Sequence, residues 1–143
     1  MTIATVNNQT FGDKRELVRQ VNNYLRDFVQ RHPSIDGALV VSVDGHLIAK
    51  SIDGADSTKR LASMGSSLMS LGNTVTGEME MGLCKNVIVE NEEGFITFMH
   101  INKKLVLVTF TTTPNGLGLL LSASRSCAER LLQELRKSAE PAS

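Results

Sequence analysis

The apolar positions of this chain change period several times between residues 13 and 138, and each change marks an element. Leu17, Val18, Val21, Leu25, Phe28 and Val29 form one helical stripe, with Asp13 placed to cap the helix and His32-Pro33 placed to end it. Residues 37–43 are a β-branched run broken at Asp44-Gly45, a dipeptide suited to a type I′ hairpin turn, and residues 46–52 return as a second strand. After a loop in which Asp56 or Ser57 is a cap candidate, residues 57–81 carry helical spacing, with Gly77 and Gly82 loosening its end. Strands then follow at about 84–91, 95–101 and 104–112, joined so tightly that an antiparallel meander is predicted. Pro114-Asn115-Gly116 stops the last strand, and Leu117, Leu120, Leu121, Cys127, Ala128, Leu131, Leu132 and Leu135 mark a final amphipathic helix. The predicted order is α-β-β-α-β-β-β-α in one domain over 13–138, with residues 1–12 a flexible arm and 139–143 a frayed tail.

Residues 38–41 and 105–108 are apolar at consecutive positions, so both faces of those strands are expected to be buried. Helices must then cover both faces of the sheet. The expected α/β architecture is a three-layer sandwich, a five-stranded mainly antiparallel sheet with the first and last helices on one face and the middle helix on the other.

The middle helix carries two stripes where packing on one sheet needs one. Leu61, Met64, Leu68, Leu71, Val75 and Met79 form a large stripe, and Ala62, Gly65 or Ser66, Met69, Gly72 and Thr76 form a small one. Each interior glycine costs roughly 0.8–1 kcal/mol relative to alanine. Small side chains let a second backbone approach, so the reading is that one face packs on the sheet while the other meets a partner, with Met64 in the core. Met69, Met79 and Met81 bring flexible thioethers to the same region. Binding therefore leads over catalysis.

Composition narrows the choice of partner. Fifteen Lys plus Arg balance fifteen Asp plus Glu, so no net basic field exists to attract nucleic acid or an anionic membrane. No segment approaches 18 consecutive apolar residues, and residues 1–12 lack the features of a signal peptide, so a soluble cytoplasmic protein without an integral membrane segment is expected. Cys84 and Cys127 have no ligand-like spacing and are read as reduced thiols.

Catalytic signatures are absent. There is no GxxxxGK[ST] loop, and Gly116-Leu-Gly118 alone is a weak phosphate motif. His32, His46 and His100 show no metal-ligand spacing. His46 lies near Asp44, Ser42 and Ser51, but without a nucleophile elbow it reads as a solvated hairpin residue. Glu90, Glu92 and Glu93 read as a solvated turn, and the charges of the last helix as ordinary surface. No catalytic residue, metal or cofactor is expected.

SIDGALVVSVDGHLIAKSI (34–52), the helix after it, VIVENEEGFITFMHI (87–101) and LVLVTFTTTPNGLGLLL (105–121) together resemble the roadblock family of dynein light-chain-like proteins, over residues 14–138. The resemblance implies a profilin-like sandwich that forms homodimers through its middle helix and third strand. On this chain that implicates Ala62, Gly65, Met69, Gly72 and Thr76 with Val87 and Val89, and gives the edge strand a partner. Bacterial members of the family regulate or scaffold Ras-like small GTPases, which implicates Lys59, Arg60, Ser66, Asn73, Thr76 and Met79 in partner contact. The function expected is a non-enzymatic, homodimeric GTPase regulator. A structural adaptor in a multiprotein complex and a small-ligand sensor are the alternatives.

Overall fold

The computed structural model describes residues 3–52 and 55–139. The elements are α1 (Ile3–Arg31), β1 (Gly37–Ser42), β2 (Leu47–Ser51), α2 (Ala55–Glu78), β3 (Asn86–Glu90), β4 (Phe95–His100), β5 (Leu105–Thr111) and α3 (Leu117–Ala139). They form one antiparallel sheet in the order β2-β1-β5-β4-β3, with α1 and α3 on one face and α2 on the other. This is the expected three-layer α/β sandwich, with β5 at its centre.

The consecutive apolar runs have the predicted consequence. Ala38, Val40 and Leu107 point into the core beneath α1 and α3, while Leu39, Val41, Val106 and Val108 point into the core beneath α2. The first core also contains a buried chain of hydroxyls, in which Thr109 Oγ1 lies 2.7 Å from Thr97 Oγ1 and 2.7 Å from Ser124 Oγ. Three polar groups thereby cross from β4 through β5 to α3 without being left unpaired.

Several local expectations need correction. α1 begins at Ile3, so residues 3–12 continue the helix and Asp13 does not start it. No proline interrupts that segment, and its one glycine, Gly12, weakens a helix without ending it. At the other end Ala139 is still helical, and residues 140–143 lie outside the described residues. The β1–β2 connection is not a type I′ turn, because only Gly45 has positive φ, at 92°. Gly45 N–H donates to the Ser42 carbonyl at 3.0 Å and Ser42 N–H to the His46 carbonyl at 2.8 Å. This is a type I turn followed by a left-handed glycine, the usual three-residue hairpin solution. α2 starts at Ala55, so Asp56 and Ser57 fall within its first turn, and the cap position lies outside the described residues.

α2 ends in a way the glycines did not foretell. Glu80 N–H donates to the Gly77 carbonyl at 3.1 Å and Met81 N–H to the Thr76 carbonyl at 2.9 Å, the paired bonds of a Schellman motif. The left-handed residue of that motif is Glu80, with φ of 53°. A non-glycine residue there costs roughly 1–2 kcal/mol. Glu80→Gly is expected to stabilise the protein by about 1 kcal/mol in urea unfolding, the glycine's extra chain entropy offsetting part of the relief. A loss of stability would show that the Glu80 side chain contributes more than its backbone strain costs.

Candidate interaction surface

The two stripes of α2 have exchanged the roles read from the sequence. Ala62, Gly65 and Met69 are buried against the chain's own sheet, and Gly72 and Thr76 are half-buried. The glycines exist to admit that sheet. A Cβ on Gly65 would come within 3.1 Å of the Phe98 ring, and one on Gly72 within 2.7 Å of Cys84 Sγ and 3.2 Å of Val87 Cγ2. Phe98 is the largest fully buried side chain among the described residues, and it occupies the space that a larger residue at 65 would take. Val87 and Val89 are half-buried on the same side, packed into the core beneath α2.

The large stripe lies about a quarter-turn round the helix and faces outward. Met64, Leu71, Val75 and Met79 are each 56–67% exposed, so Met64 is not a core residue, while Leu61 and Leu68 lean onto the sheet. Exposure continues through Met81 and Leu83 in the α2–β3 loop and Ile88 on β3. β3 is an edge strand whose outer side pairs with no strand among the described residues. An apolar helix face beside a free strand edge is the kind of surface that monomeric proteins avoid.

Of the residues implicated in partner contact, Lys59, Arg60 and Met79 are exposed. Ser66 and Asn73 have internal work. Ser66 Oγ donates to the Val43 carbonyl, tying α2 to the β1–β2 hairpin, and Asn73 Oδ1 accepts from Cys84 N–H at 2.9 Å, pinning the entry to β3. Ser63, Ser67, Ser70 and Thr74 complete an exposed polar face next to the large stripe; sequence reasoning missed this face because short hydroxyl side chains give no periodic signal.

Among the described residues no group of His, Cys, Asp and Glu is arranged to hold a metal ion. Glu92 and Glu93 lie in a turn organised by Asn91, whose Oδ1 accepts from Glu93 N–H at 3.1 Å and Gly94 N–H at 2.9 Å. His46 is exposed, and its backbone N–H donates to Ser42 Oγ at 3.0 Å. Both cysteines are free thiols and buried. Burial pushes the Cys127 thiol up to about 12, against a smaller opposing effect of Arg130, leaving on the order of one thiolate in 10⁴ at pH 8. Native protein treated with a disulfide reagent at pH 8 is therefore expected to show no rapid modification, and two thiols per chain after unfolding in urea. A fast-reacting Cys127, located by mass spectrometry, would contradict that burial. No described helix is long and apolar enough to cross a membrane.

The fold has known counterparts. The Myxococcus xanthus protein MglB superposes with a TM-score of 0.77 at 14% identity, covering 88% of this chain and 95% of MglB. A Roadblock/LC7 domain from Streptomyces avermitilis gives a TM-score of 0.74 at 20% identity, covering 80% of this chain and 97% of that domain. By sequence, the uncharacterized protein MJ1340 of Methanocaldococcus jannaschii is 28% identical over 97 residues, 68% of this chain and 84% of MJ1340. The sequence pattern of the Roadblock/LC7 domain matches residues 22–111, from the middle of α1 to the end of β5, and the chain belongs to the Roadblock/LC7 domain family.

Proposed function

We propose that this protein is a homodimeric, non-enzymatic regulator that binds a Ras-like small GTPase in the cytoplasm. The observation that carries the reading is the outward apolar stripe of α2 beside the free edge of β3. Two copies related by a two-fold axis bury both features at once, stripe against stripe and β3 against β3. In this arrangement Met64, Leu71, Val75 and Met79 replace Ala62, Gly65, Met69 and Gly72 as the self-contact. Likeness to MglB, for which a tetrameric arrangement is also known, supports assembly as the working state.

Pairing along the large stripes leaves the polar face of each α2 free. The two faces form one platform bearing Lys59, Arg60, Ser63, Ser67, Ser70 and Thr74 from each copy. A platform without its own nucleophile, metal or base acts on a GTPase by holding its switch loops in place. Arg60 is the sole arginine of α2 and so the candidate for any guanidinium supplied from this helix.

The test is capture by the immobilised protein from lysate of its source organism, with GDP or a non-hydrolysable GTP analogue. Retention of a P-loop GTPase mainly with the analogue is the expected result; retention of other proteins regardless of nucleotide would favour the adaptor instead. With the GTPase in hand, Arg60→Ala is expected to lower stimulated hydrolysis by a factor of at least 10³ if Arg60 enters the γ-phosphate site. Full stimulation by the variant would leave positioning of the switch loops as the mechanism.

A further inference from the structure

On the sheet face opposite α2, α1 lies over β1 and β2 while α3 lies over β4 and β5. Between the middle of α1, at residues 14–21, and the second half of α3 a groove of about 280 Å³ remains. Val18 and Val21 of α1, Ile48 of β2, Leu105 of β5, and Leu131 and Leu135 of α3 line it. Among the described residues the one polar side chain in its lining is Lys14. The volume is about nine times the ~30 Å³ of a liquid water, just below the usual small-molecule range, and its apolar walls offer water no partners.

The rim differs in character from the walls. Lys14 is exposed, and the β4–β5 turn that links the groove residues Ile101 and Leu105 carries Lys103 and Lys104, both exposed. None of these three lysines has an ion-pair partner among the described residues, whereas the nearby carboxylates of Glu16 and Glu134 are engaged by Arg19 at 2.9 Å and Lys137 at 3.6 Å. A slender apolar groove with unpaired ammonium groups around it is complementary to a ligand of matching polarity.

We propose that the groove binds a linear anionic amphiphile, a free medium-chain fatty carboxylate of about eight to ten carbons. Its chain lies between α1 and α3, and its carboxylate faces Lys14, Lys103 and Lys104. Because α2 covers the other face of the sheet, the site stays open in the proposed dimer and is independent of it.

Decanoate, titrated below its micellar concentration into the isotopically labelled full chain, tests this by two-dimensional NMR. Saturable shifts are expected at Val18, Val21, Ile101, Leu105 and Leu131, with α2 unaffected. The surface variant Lys14→Glu/Lys104→Glu is expected to weaken decanoate at least tenfold and to leave decanol unchanged. Val18→Phe, which fills the groove, is expected to weaken both ligands. The absence of saturation, shifts confined to α2, or equal loss of decanoate and decanol in the double lysine variant would overturn the assignment. Binding to phosphatidylglycerol vesicles without any response to decanoate would also overturn it, marking the rim as a membrane contact.

Discussion

Leu71→Asp/Val75→Asp is expected to convert the protein from dimer to monomer while leaving the protomer folded. Both side chains are more than half exposed in the single chain, and both occupy helix positions where aspartate costs only the modest propensity difference. In the proposed two-fold assembly the same positions would be buried against their own copies, so each substitution would place carboxylates against carboxylates in a desolvated contact. Dissociation is expected to increase by at least 100-fold, about 2.7 kcal/mol. Light scattering on the size-exclusion peak reads the mass, and circular dichroism reads the fold. A variant that remains dimeric would move the self-contact away from α2, and a monomeric parent would sink the assembly altogether. Substituting the inward stripe does not offer this separation, because Gly65→Asp would drive a charge into the Phe98 ring and unfold the chain it was meant to dissociate. Decanoate binding by the Leu71→Asp/Val75→Asp monomer then shows the α1–α3 groove to be independent of assembly.

The strands were legible because their signals are local. The apolar runs at 38–41 and 105–108 and the short polar turns define β1, β5 and the meander, and the observed strands lie within a residue or two of those expected. The facing of α2 was not legible from the helix alone. Two stripes a quarter-turn apart each satisfy helical periodicity, and which one meets the sheet depends on what the sheet presents. Phe98, Val87 and Cys84 project toward α2 where glycines face them, so the small stripe is a socket for large strand residues. A signal existed in the sequence: VIVENEEGFITFMHI puts Phe98 in mid-strand, and a bulky aromatic inside a strand needs a hollow in the helix above it. The internal hydrogen bonds of Ser66 and Asn73 were not legible for a related reason. Their hydrogen-bond partners, the Val43 carbonyl and Cys84 N–H, belong to loops whose path no periodicity specifies. Lys59, Arg60 and Met79, by contrast, are exposed on α2 and remain available for partner contact.

Gly94 is expected to be the least replaceable residue outside the core. The β3–β4 turn returns so close to the end of β5 that a Cβ at position 94 would lie 1.9 Å from the Thr111 carbonyl oxygen and 2.9 Å from Thr112 Cα. Those are backbone atoms at the end of the central strand and just past it, which unlike the tip of a flexible side chain have little room to move. Thr111 is also fixed from its other side, since its hydroxyl donates to the Ser34 carbonyl at 2.5 Å and Phe95 pairs with it in the ladder. Gly94→Ala must therefore part β4 from β5 at this corner or break the Asn91-centred turn, and a loss of about 3–5 kcal/mol is expected, in the exceptional range for one methyl group. Gly77 is the internal control. It lies within α2 with nothing within 4 Å of its would-be Cβ, so Gly77→Ala is expected to stabilise by roughly 0.5–1 kcal/mol through helix propensity alone. Urea unfolding of both variants at one protein concentration, with unchanged m-values, measures the contrast without confounding it with assembly. A Gly94→Ala variant within 1 kcal/mol of the parent would mean that the turn relaxes away from β5, and the close approach of the two backbones would then have no structural role.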